Sequence, residues 1–154
     1  MNESERLARE LEKALDGGAW HGPSWQETLE GVSRSSALLR PVARGHTIAE
    51  IVLHATTWHD VVRHRLEGET PDVSAEEDWP VASFATDEAW SAAVRRALEA
   101  GLSLCETVRR FPPSRLHERR PGLEETWFEL ISGQLQHALY HLGQIGILKK
   151  AAAR

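Results

Sequence analysis

From Glu124 to Lys150 the sequence has no proline, and its apolar residues recur every three or four positions. Trp127, Leu130, Ile131, Ala138, Leu142, Ile145 and Leu148 project onto one face of a helix. A helix over this stretch is about 40 Å long at 1.5 Å per residue. Such a stripe needs partner helices to cover it. The chain supplies three: Glu3 to Leu15, Thr47 to Leu66, and Asp87 to Arg110. The six Trp and the Val and Ile residues do not alternate as they would in strands. The fold expected is all-α, a four-helix bundle with long connections after the first and second long helices. It forms one domain over residues 1–154.

Local signals place the boundaries. Leu7, Leu11 and Leu15 form the first stripe, which Gly17-Gly18 ends. Ser24-Trp25-Gln26-Glu27 and Thr47-Ile48-Ala49-Glu50 are capping boxes. The second opens a helix whose inner face holds Ile48, Ile51, Val52, Ala55, Trp58 and Val62. A further turn or two is expected within Ser33 to Arg40, and Glu69 to Thr86 reads as a loop. The fourth helix is expected to start near Glu124, with Glu125 and Glu129 pointing away from the core.

The fourth helix carries the chemistry. His137 and His141 are four residues apart, so they share a helix face and could grip one metal ion. With 8 His in the chain, chance supplies roughly 0.4 such pairs, so spacing alone is weak. Orientation adds weight. His141 falls inside the apolar arc and His137 at its edge, with Gln134 and Gln144 extending a polar seam. Buried groups of this kind must bond one another, water or a ligand. A hydrogen-bonded seam that fixes helix register is the competing reading. A metal needs a third ligand, and the second helix offers His54, His59 and His64. The wheel slightly favours His59, puts His54 on the flank, and turns His64 to solvent.

Ile51-Val-Leu-His54-Ala-Thr-Thr-Trp58, then Glu77-Asp78-Trp79-Pro80, then His137-Ala-Leu-Tyr140-His141-Leu-Gly143-Gln144-Ile145 resemble the DinB/YfiT-like superfamily in order and spacing. The resemblance implies a four-helix bundle holding a divalent metal, with His54, His137 and His141 as ligands. His59 then becomes a core or supporting histidine. It implies a homodimer, and activities that include thiol S-transfer with bacillithiol- or mycothiol-type cofactors. Three imidazoles leave the cation its charge and an open position, which suits Zn or Ni foremost. That position could ionise a thiol for S-transfer, the favoured reading, or a water for hydrolysis. A non-catalytic, stress-related binding or scaffold dimer is the alternative. Gln144, Gln134, Trp58 and His59 are candidate supporting residues; Gly143 would let a neighbouring helix come close. For Trp58 core packing is preferred over a site wall. Glu76, Glu77 and Asp78 read as solvated loop charges. Exposed Tyr140 and Ile147 hint at a dimer surface.

Charge and cysteine content narrow the rest. Net charge is −5, with Arg interleaved with Glu, which argues against nucleic acid. No apolar run is long enough to span a membrane. A lone Cys105, expected to be buried and structural, fits a reducing compartment, and the cytoplasm is expected. The partners expected are a second copy and a small thiol or electrophile.

Overall fold

The computed structural model describes residues 1–152. Seven α-helices follow in order: α1 (Glu3–Asp16), α2 (Trp25–Leu29), α3 (Arg34–Leu38), α4 (Ile48–Leu66), α5 (Ala75–Asp78), α6 (Asp87–Arg110) and α7 (Trp127–Ala152). A 3₁₀ turn, Pro113–Arg115, follows α6. Among the described residues there is no strand, only an isolated bridge between Arg119 and Thr126. The four long helices form a ring in which α4 touches α6 and α7, and α1 touches the same two. Ile51, Val52, Ala55, Leu104, Val108, Ile131 and Ile145 bury themselves at its centre. No helix among the described residues is long and apolar enough to cross a membrane.

Both expected capping boxes form. The Ser24 and Thr47 side chains accept from the backbone amides of Glu27 and Glu50, and those glutamates accept from the cap amides in return. Each cap satisfies amides at the helix start that have no partner within the helix. Two elements depart from expectation. The loop from Glu69 to Thr86 contains the single turn α5, opened by a further box between Ser74 and Glu77. The last helix starts at Trp127, not Glu124. The bridge and a reciprocal Thr126–Glu129 cap hold the preceding residues out of the helix. Glu125 therefore lies before α7 and does not follow its wheel.

Two indoles fix the short elements. Trp25 of α2 donates Nε1–H to the Ala138 carbonyl of α7 at 3.1 Å, beside His137. Trp90 of α6 donates to the Val32 carbonyl at 2.8 Å. Close helix approach occurs at Gly101 rather than Gly143. A Cβ on Gly101 would sit 2.7 Å from the Leu15 methyls, so α1 and α6 meet there. A Cβ on Gly143 would meet nothing within 4 Å, and that residue lines an open apolar groove with Leu139, Leu142 and Gly146.

Candidate metal centre

Periodicity gives a residue's angle around a helix but not its level along the bundle. On α4 and α7, which face each other, His54 is level with His137 and His141, and His59 is level with Gln134. The structure thus brings together His54, His137 and His141, whose ligating atoms all lie within 4.8 Å of one another. His137 Nε2 is 2.9 Å from His54 Nε2 and 2.9 Å from His141 Nε2. His54 and His141 are buried and His137 is partly exposed.

Hydrogen bonds on the far side of two rings decide which atoms face the centre. His54 Nδ1 meets the Asp78 carbonyl at 2.6 Å and the Asp78 carboxylate at 3.1 Å. Both are acceptors, so Nδ1 carries the proton. His141 Nδ1 donates to Gln144 Oε1 at 2.7 Å. In the neutral form of each ring Nε2 is then a bare lone pair aimed at the shared centre. His137 Nε2 faces both lone pairs and can donate along its ring axis to only one. The centre is rich in lone pairs and poor in protons. Burial, reinforced by the other two histidines, pushes His137 down to about 4, and burial also lowers His141. Both shifts favour the neutral imidazole at His137 and His141, the form that binds metal.

A first-row cation fits this donor set. Zn–N bonds of 2.0–2.1 Å in tetrahedral geometry place the nitrogens roughly 3.3 Å apart. Shifts of a few tenths of an ångström would open the 2.9 Å spacing to that value. A second group, His64, Glu67 and Glu69, is more exposed, and Glu67 is already paired with Arg63 at 2.8 Å.

The connection after α4 contributes more than solvated charge. Asp78 is only partly exposed and ties His54 to Trp58, whose Nε1–H donates to its carboxylate at 2.7 Å. Trp79 stacks on His54 with ring centres 3.8 Å apart, and on His46 at 3.5 Å. Sequence reasoning missed Asp78, Trp79 and His46 as parts of the centre. The Ser74-Ala75-Glu76-Glu77 capping box was the available signal that this segment is ordered. Trp58, expected chiefly as core, is a wall: it lines a cleft of about 340 Å³ with His54, Arg65, Asp78, Glu125 and His137.

Of the other supporting candidates, Gln144 holds His141. Gln134 instead pairs with His59, Nε2 to Nδ1 at 3.0 Å, in a fully buried couple. Burial pushes His59 down to about 4, so it stays neutral as a core histidine. Cys105 is buried, and burial raises its thiol to about 12, which suits a structural role. A separate groove between α4 and α6 is lined by paired charges such as Asp60 with Arg96, away from the histidines.

Comparison with known proteins agrees with this architecture. The sequence profile of the DinB superfamily matches residues 19–145. The chain belongs to the DinB superfamily. The matched span includes all three clustered histidines together with Asp78 and Trp79. No curated protein and no solved structure matches the chain. The cluster of this DinB protein is compatible with a bound metal ion.

Proposed function

We propose that this DinB protein is an enzyme dependent on a divalent metal held by His54, His137 and His141, and that it activates a small thiol for S-transfer. The observation that carries the reading is the fixed tautomer of two rings. Asp78 and Gln144 take the Nδ1 protons, so the Nε2 lone pairs of His54 and His141 converge with His137. Three protein ligands leave an open position, the mark of a catalytic rather than a structural site.

A bound cation would supply Lewis acidity, lowering the pKa of a thiol or water at that position. The chain's own residues do the rest. Asp78 and Gln144 orient their imidazoles, and Trp79 covers one face of His54. Trp58 and Leu130 wall the cleft through which a second reactant would enter. The partly exposed His137 lines the same cleft. Thiol transfer is preferred over hydrolysis on the superfamily analogy, since the same ligands would serve either. Zn or Ni suits three imidazoles. The second copy expected of the protein would draw on Tyr140 and Ile147, both exposed on α7.

Elemental analysis of untagged protein is the test. About one ion per chain is expected, with loss of that ion in each of the His54→Ala, His137→Ala and His141→Ala variants. Full occupancy in all three would refute the ligand set. A metal-loaded protein inert toward electrophiles with every thiol tried, yet active on esters or amides, would favour the hydrolase.

A further inference from the structure

Positions 54, 58 and 65 lie within about 40° of one another on a helix wheel. On α4 they are His54, Trp58 and Arg65, and all three line the same cleft. The Trp58 ring centre is 6.0 Å from that of His137, and the Arg65 guanidinium carbon is 5.6 Å from the Trp58 ring. The cleft thus runs from the histidines, over an indole, to a cation.

Arg65 differs from the other charges nearby. Asp78 is engaged by His54 and Trp58. Glu125, the other acid on the cleft, is paired with Arg120. Among the described residues, no carboxylate lies in salt-bridge range of Arg65. An unpaired guanidinium over an aromatic face can offer its edge to a planar anion in two-point fashion.

We propose that Arg65 is the anion anchor of this cleft, and that the molecule entering it bears a carboxylate at the end remote from its reacting group. The inference rests on the metal-site reading for which end reacts, but not for the anchor itself. A carboxylate is favoured over a phosphate because Asp78 and Glu125 share the cleft and would repel a second negative charge. Partial burial, and after it the neighbouring positive charge of Arg120, weaken the protonated state of Arg65 against the opposing charge of Glu125, and an incoming anion would relieve that.

The experiment titrates metal-loaded protein calorimetrically with mercaptohexanoate and with neutral mercaptohexanol. Wild type should prefer the acid by about tenfold, the scale of one charge-assisted pair. Arg65→Gln should bind both equally, with unchanged metal content and unchanged affinity for the alcohol; Arg65→Lys should restore part of the preference. Equal affinities in wild type, or a preference that survives in Arg65→Gln, would overturn the proposal. Hexanoate against hexanamide on chelator-treated protein reads the anchor without the metal. A preference there that Arg65→Gln abolishes sustains the anchor even if the histidines take no ion.

Discussion

The two supported histidines are held differently, and the difference can be measured. His141 Nδ1 has one acceptor, Gln144 Oε1 at 2.7 Å. His54 Nδ1 has two, the carboxylate of Asp78 at 3.1 Å and its main-chain carbonyl at 2.6 Å. Gln144→Leu removes the only acceptor of the Nδ1 proton, so the ring can then rotate or place its proton on Nε2. Loss of such a partner lowers metal affinity 10- to 100-fold, about 1.4–2.8 kcal/mol. Asp78→Ala leaves the closer acceptor in place, because a side-chain substitution does not remove the carbonyl. The lost carboxylate is partly solvent-exposed, so its charge is screened, and the expected loss is less than about tenfold. Competition with a chromophoric chelator for Zn²⁺ measures both affinities, and thermal melts of the apo-proteins establish that both variants fold. Unchanged affinity in Gln144→Leu, or a larger loss in Asp78→Ala, would refute the argument from tautomer control.

Two further outcomes follow from buried groups. His59 is held neutral at about 4 against an ordinary 6.5, so between those values the unfolded chain binds a proton that the native chain does not. Its contribution is complete above pH 6.5 and is lost as pH falls toward 4, by about 1.4 kcal/mol per pH unit at most. His59→Asn should flatten chemical-denaturation stability by that slope; an unaltered slope would contradict the burial argument. Cys105, raised to about 12 by burial and then by Glu12, should resist thiol reagents at pH 8 until the protein unfolds. Stoichiometric labelling of native protein within minutes would contradict it.

Much of the architecture was legible because helix signals are local. The boxes at Ser24 and Thr47 each concern four consecutive residues, and both formed. The start of α7 was misplaced because Glu124 and Glu125 are good helix formers, whereas the bridge from Arg119 to Thr126 holds them out of the helix. The wheel correctly turned His141 inward and buried His59. It ranked His59 above His54 because angle alone cannot show that His54 is level with the α7 pair. The superfamily resemblance supplied that level. Asp78 and Trp79 were legible only as a string in a loop: their roles depend on the connection folding back onto α4, which no local pattern encodes. The same holds for Arg65, whose lack of an acidic partner emerges only once Glu125 is seen bound to Arg120.

The Glu69–Thr86 connection is fastened to α4 by bonds that include Thr57 to the Glu77 carbonyl at 3.1 Å, Trp58 to the Asp78 carboxylate, and His54 to the Asp78 carbonyl. His54 is therefore a hinge pin, with one nitrogen gripping the strap and the other facing the cluster. A cation that clamps the ring would also tighten the strap. The rate at which a protease nicks this segment would then gauge site loading, so cofactor content could be followed on a gel without any knowledge of the substrate.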